Sequence, residues 1–365
     1  MRPRATRQLQ LALNSALHFL IDGVCAAAIF GEISKMADVA AFAEWVLLYN
    51  FLAFATQGLV GIVTDQFLSR HGIFRHLIFL SALSVSLGLF LPAPALVKIL
   101  LLGLGNSLFH VSGGTVTLLG SEGKAAPLGI FVAPGALGLA VGTAFPTSGS
   151  WLAALLLLLG AGSYLFRPIA PAEVAAGSAA IPKRPSLRRG LAVAGMMLFC
   201  IGARSFAGTV VRFDWKTGVG WVILLAALVM LGKAAGGILA DRFGCARVCA
   251  VSIPFSAICV LLFQSNAALS LLGQFLLNCS MPITLFLLYR ALPDNPGFSF
   301  GLAASILLPG FLLGQMGQAA AVGSTLLTIT ISIIFALNLL CLILSERILA
   351  KKEASQCPPC APCSP

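Results

Sequence analysis

The chain has 365 residues, 59% of them hydrophobic and only 10% charged, with 23 Lys and Arg against 12 Asp and Glu and a formal net charge of +11. A water-soluble protein of this length needs far more charge to cover its surface, which excludes a soluble enzyme or binding domain. The basic excess does not mark nucleic acid as a partner, because the Lys and Arg flank apolar runs rather than forming one patch.

The apolar residues lie in runs of about 20, the length of a helix across a bilayer. Backbone polar groups in lipid must be satisfied within the segment, which makes such runs helices, and the period-two alternation of a membrane barrel is absent. In chain order, spans are expected at 10–30, 44–64, 75–92, 95–119, 125–146, 150–167, 189–211, 217–240, 248–265, 267–290, 297–320 and 323–345.

The first span follows Arg2, Arg4 and Arg7 as a signal peptide would, but it holds Asn14, His18 and Asp22 and no obvious small-residue cleavage site. These three polar residues recur every fourth position and share one helical face. An ionisable group in mid-span costs about 2.5–3.5 kcal/mol, so each one asks for a reason. Asp22 and His18 can hold and pass a proton, or fix helix packing as a static contact. His110 in the fourth span is either a substrate contact or a packed histidine. The fifth span carries Gly129, Pro134, Gly135, Gly138 and Gly142, where glycine permits close helix approach and proline weakens the helix locally.

A Pro-rich basic interruption at 168–188 divides the chain into 1–167, an N-terminal six-helix bundle, and 189–345, a C-terminal one; 346–365 reads as a disordered cytoplasmic tail. Across this linker the sequence repeats: GIVTDQF from Gly61 returns as GILADRF from Gly237, and Pro134-Gly135 returns as Pro309-Gly310. The seventh span holds Arg204 among small residues, placed by the repeat opposite the first span, so an Asp22–Arg204 pairing is geometrically plausible. Lys233 in the eighth span reads as structural, snorkelling outward or pairing with the loop at Asp241. Asn278 in the tenth span offers cavity hydrogen bonds or interhelical glue.

With a cytoplasmic N-terminus, 17 of the 23 Lys and Arg fall on cytoplasmic segments, and only Lys35, Lys98, Arg212 and Lys216 fall outside. That asymmetry puts both termini in the cytoplasm, and the expected location is the plasma (inner) membrane. The tail residues Cys357, Cys360 and Cys363 lack a fourth ligand or nearby His, and no ligand motif elsewhere points to a metal. No Walker-type loop, H-E-x-x-H or G-x-S-x-G occurs, so neither direct use of ATP nor an intramembrane enzyme is expected.

The stretch from Gly237 through Asp241, Arg242 and Gly244 to Arg247 resembles the signature loop of the major facilitator superfamily. The first-half copy, Gly61 to Asp65 with Arg70 nearby, departs from it at Gln66 and Leu68. Two further stretches, His18 to Gly23 and Gly103 to His110, are similar to the fosmidomycin-resistance branch of drug antiporters, although Val111-Ser112 replaces that branch's Pro-Glu. The resemblance implies an all-α integral membrane fold of 12 transmembrane helices, as two pseudo-twofold-related six-helix bundles. It implies a secondary active transporter moving a small solute by alternating access, proton-coupled, without cofactor, driven by the proton gradient. Export is slightly favoured; the alternatives are an importer of a small polar or anionic metabolite and a non-transporting sensor or scaffold. The expected substrate and proton pathway is Asp22, His18, Asn14, His110, Arg204 and Asn278. Gly61, Asp65, Arg70, Gly237, Asp241, Arg242 and Arg247 form the cytoplasmic gate, and Pro134, Gly135, Pro309 and Gly310 the helix-flexing points. The partners are a small-molecule substrate and membrane lipid, and the chain acts as a monomer.

Overall fold

The computed structural model describes residues 3–68, 72–165, 184–319 and 324–354. Among these, 12 helices are long and apolar enough to cross a membrane, and no strand occurs. They are α1 (Ala5–Lys35), α2 (Val39–Asp65), α3 (Ile73–Phe90), α4 (Ala95–Gly120), α5 (Ala126–Ala144) and α6 (Pro146–Leu165), then α7 (Leu187–Val210), α8 (Val219–Phe243), α9 (Cys245–Leu262), α10 (Ala267–Ala291), α11 (Pro296–Gln318) and α12 (Thr325–Ala350). The last helix continues to Ala354, so the first nine residues of the expected tail are helical. Arg70 and the three tail cysteines lie outside the described residues.

Side chains cap the starts of two of the helices. Asp38 accepts a hydrogen bond from the Ala41 amide at the start of α2, and Asn266 from the Leu269 amide at the start of α10. Between α8 and α9, Gly244 turns the chain at φ +91°, a left-handed conformation that favours glycine. The first half has Leu68 at the equivalent motif position, and its left-handed residue is Gly72, at φ +87°. The imperfect N-half motif thus has a longer turn with its glycine displaced.

The two halves share their main packing contacts. In the first, α1 packs on α4, α5 and α6, and α4 on α2 and α3; in the second, α7 packs on α10, α11 and α12, and α10 on α8 and α9. The halves meet chiefly through two equivalent pairs, α5 with α8 and α11 with α2, and also through α11 with α4 and α5 with α10. Both seams are glycine-lined. A Cβ on Gly61 would sit 2.7 Å from the Cα of Phe298, and one on Gly237 2.9 Å from the Cα of Ala126, so each glycine lets a backbone of the other half come close.

One turn after each glycine, an aspartate reaches that same helix of the other half. Asp65 accepts hydrogen bonds from the amides of Gly297 (2.7 Å) and Phe298 (2.8 Å) at the start of α11. Asp241 accepts them from Ala125 (2.7 Å) and Ala126 (3.0 Å) at the start of α5. The G-x-x-x-D pattern therefore has a physical reading: glycine for close approach, and on the same face a carboxylate for the partially positive helix N-terminus. Of the other expected gate residues, Arg242 lies over the Phe243 ring at 5.2 Å, and neither it nor Arg247 forms an ion pair among the described residues.

Proline acts differently in the two repeats. The α11 span breaks at Ile306, between helices Pro296–Ser305 and Leu307–Ala319, because the Pro309 ring displaces the carbonyl of Ser305 four residues earlier. At the break the Ser305 hydroxyl meets α2 of the other half: its Oγ accepts from the Gly58 amide at 3.0 Å and lies 3.1 Å from the Phe54 and Ala55 carbonyls of a π-helical segment, Phe51–Ala55. In contrast, α5 runs unbroken through Pro134.

Candidate functional site

A cavity of about 230 Å³ lies between the halves. From the first half it is lined by His18, Asp22, Gln57, His110 and Gly135, and from the second by Arg204, Lys233 and Thr284, with Phe54, Leu139, Phe300 and Leu307 as apolar wall. A second cavity of about 300 Å³ shares Asp22, Phe54, Leu139 and Leu307 with it and adds Tyr49, Asn50, Asn106 and Ser205.

The acid and both imidazoles converge. His18 and Asp22, one turn apart on α1, place Nε2 3.4 Å from Oδ2. From α4, His110 brings its Nε2 to 3.7 Å from Asp22 Oδ1. Asn106, one turn before His110, donates its amide to the same Oδ1 at 3.1 Å. The two rings stand edge to face with centroids 4.5 Å apart. Phe131 of α5 and Phe109 of α4 pack on His18, with centroids 4.9 and 6.0 Å away.

The far nitrogen of each imidazole is tied to backbone. His18 Nδ1 lies 2.9 Å from the Phe131 carbonyl, and His110 Nδ1 2.9 Å from the Asn106 carbonyl. A carbonyl only accepts, so both Nδ1 atoms carry hydrogen, and each ring turns its Nε2 toward Asp22.

Gly135 makes this cluster possible. A Cβ there would press on the Asp22 carboxylate and sit 2.5 Å from His18 Nε2. The neighbouring glycines of α5 serve packing alone: Gly138 faces the Phe19 carbonyl, Gly142 the Gly23 carbonyl and Ala26, and Gly129 the Lys233 carbonyl. In the other repeat Gly310 faces Gly202 and Ser205 of α7.

The opposite wall is cationic. Arg204 has a buried Nη1 with no hydrogen-bond partner among the described residues. The Asp22–Arg204 pairing anticipated from the repeat is absent in this state, because Asp22 is already surrounded by His18, His110 and Asn106. Lys233, expected to serve the loop, instead faces the cavity, and its nearest acceptor is the Val132 carbonyl at 3.4 Å. It lies eight residues, two turns, before Asp241, which carries it inward of the loop.

Two anticipated pathway residues lie elsewhere. Asn14 is buried but lines a separate cavity of about 170 Å³ with Arg7, Glu122 and Lys124, where Arg7 and Glu122 form an ion pair. It shares a face with His18 and Asp22 but sits one turn before His18 and two before Asp22, outside the central cavity's lining. Asn278 donates to the Gln274 carbonyl of its own helix at 2.8 Å and packs where Gly232 of α8 approaches. Asn106 was legible only by its four-residue spacing to His110, and Gln57 by being polar in mid-span.

No protein-family model matches the sequence, and no curated protein matches it. Solved structures do match over nearly the whole chain. The E. coli fucose:proton symporter FucP aligns at 12% identity with a TM-score of 0.64, covering 93% of this chain and 99% of that one. A major facilitator superfamily transporter, FucP in the outward conformation, aligns at 14% identity with a TM-score of 0.57, covering 95% and 99%. The fold is therefore the major facilitator fold of 12 transmembrane helices in two six-helix bundles.

Proposed function

We propose that the chain is a secondary active transporter that carries a small anionic solute by alternating access, coupled to protons. The observation that carries this reading is the central cavity, which receives ionisable side chains from both halves at once. Burying Asp22, Arg204 and Lys233 between apolar helices is expensive, and intramembrane charges of this kind mark solute and ion pathways. Two cations against one carboxylate favour an anion, and the unpartnered Arg204 Nη1 is a donor awaiting one. The small volume suits a metabolite rather than a large amphiphile.

Asp22, held by His18, His110 and Asn106, takes the proton in this scheme. The Asp65 and Asp241 clamps close the signature-loop face, which the Lys and Arg asymmetry assigns to the cytoplasm of the plasma membrane. The cavity lies within one chain, so a monomer suffices. The glycines of α5 serve packing and the site, which a carrier of either direction needs.

The test is flux in proteoliposomes across a panel of small carboxylates, phosphorylated metabolites and neutral sugars, with and without an imposed proton gradient. Arg204→Gln is expected to lower anion flux at least tenfold, through KM. Asp22→Asn is expected to lose the response of flux to the gradient. Preference for neutral sugars, or wild-type coupling in Asp22→Asn, would overturn the corresponding part of the reading.

A further inference from the structure

The three atoms His18 Nε2, Asp22 Oδ and His110 Nε2 lie within 4.8 Å of one another, on two neighbouring helices. The nearest approaches use the two carboxylate oxygens separately, His18 Nε2 to Oδ2 at 3.4 Å and His110 Nε2 to Oδ1 at 3.7 Å. A metal ion bound tetrahedrally at about 2.0–2.1 Å has ligand edges of about 3.4 Å. The same separations are long for direct hydrogen bonds between the rings and the carboxylate. With each Nδ1 hydrogen on a backbone carbonyl, each neutral ring would offer its Nε2 lone pair beside the Asp22 carboxylate, a donor set that a metal cation can bridge.

The surroundings are those of a metal site as well. Metal-bound histidines characteristically donate their other ring N–H to a carbonyl or carboxylate, which fixes tautomer and ring orientation, and ligating carboxylates are themselves hydrogen-bonded. Here the Phe131 and Asn106 carbonyls hold the rings and the Asn106 amide holds the carboxylate. Asn106 is itself buried, and its Oδ1 has no hydrogen-bond partner among the described residues. Gly135 leaves room that any side chain would fill.

We propose that His18, Asp22 and His110 bind a divalent transition-metal ion of the zinc, cobalt or nickel class. Two neutral imidazoles and one carboxylate suit these ions rather than Mg²⁺ or Ca²⁺, which prefer oxygen shells. The remaining coordination positions open into the cavity, where Arg204 and Lys233 repel a bare cation and attract an anion. The metal therefore enters with a small anionic ligand, a carboxylate or phosphate, that completes its shell and rests against the two basic side chains. This deepens the proposed function by naming the solute as a metal–anion complex, and it rests on that reading only for transport.

The test is cobalt(II) binding to purified, tag-free protein in detergent, followed by visible absorption and by equilibrium dialysis. Cys357, Cys360 and Cys363 are replaced by Ser so that tail thiolates do not contribute. One equivalent is expected to bind with the spectrum of a nitrogen–oxygen shell, more tightly when acetate or phosphate is present. His110→Gln, His18→Gln and Asp22→Asn are expected to weaken binding at least 100-fold, and Asn106→Ala about tenfold by loss of orientation. Unfolding temperatures measured alongside identify any variant that fails to fold, and the others then decide. No binding by the tail-substituted protein, or a spectrum indifferent to all three ligand substitutions, overturns the metal site. Flux of metal-free anions without metal binding would do so while leaving the transporter reading intact; metal binding without any flux would do the reverse.

Discussion

Replacing Asp65 and Asp241 together by Ala is expected to open the signature-loop face of the protein. Each carboxylate accepts two backbone amides at a helix start across the seam between halves, at 2.7–2.8 Å for Asp65 and 2.7–3.0 Å for Asp241. Hydrogen bonds to a charged group contribute about 1.5–3 kcal/mol each when buried, and much less where solvent competes. Asp65 is half-buried and Asp241 exposed, so about 2 kcal/mol per clamp is a fair central value after that discount. Losing both shifts the balance between closed and open states by about 4 kcal/mol, on the order of a thousandfold. Each Asp→Asn should give a smaller shift, since the amide oxygen still accepts.

A cysteine in place of Thr284, which is buried and lines the central cavity, reports the change. In an otherwise cysteine-free protein, a membrane-impermeant maleimide applied from the signature-loop side should label it slowly, and at least tenfold faster in the double Ala variant. Equal labelling rates in the two proteins would show that the aspartates do not hold this face shut.

Gly135→Ala is expected to remove function from a protein that still folds. The new methyl would meet the Asp22 carboxylate and sit 2.5 Å from His18 Nε2, so the two side chains must move apart. Overpacking costs about 1–3 kcal/mol, and side chains facing a cavity can yield where backbone cannot. The cost therefore falls on the geometry of the cluster, and proton-driven flux should drop at least tenfold. Gly138→Ala is the natural comparison, because its methyl meets Phe19 backbone, 3.0 Å from the Cα, and α1 itself must shift. That variant should lose thermal stability and folded yield. Gly135→Ala with wild-type flux, or with a larger stability loss than Gly138→Ala, would contradict the assignment of Gly135 to the site.

The architecture was legible because lipid imposes it on composition. Twelve runs of spanning length must be helices when no water is available to their backbones, and the repeat across the central linker fixed two bundles of six. The repeat also pointed to Gly61, Asp65, Gly237 and Asp241, since a four-residue spacing puts glycine and carboxylate on one helical face whatever the fold around them. For the same reason His18 and Asp22 were readable as a pair.

What the linear chain does not contain is depth and rotation. Asn14 has the same spacing to His18 as His18 has to Asp22, yet it lies in another cavity, because a face continues along a helix while a cavity ends. Lys233 read as a companion of the loop at Asp241, but two turns carry it inward to the cavity that Arg204 also lines. The Asp22–Arg204 pairing was plausible from the pseudo-twofold, and only the approach of α4 with His110 and Asn106 shows that Asp22 is already engaged. Pro134 and Pro309 are equivalent in sequence, yet one helix runs on and the other breaks, at the place where the Ser305 hydroxyl bonds to α2 of the other half. The sequence by itself determined which residues share a helix face and which faces the two halves have in common. Which of those faces meet, and so the convergence of two imidazoles and a carboxylate on one point, was decided by helix packing, because contacts between distant segments depend on how glycine lets backbones approach.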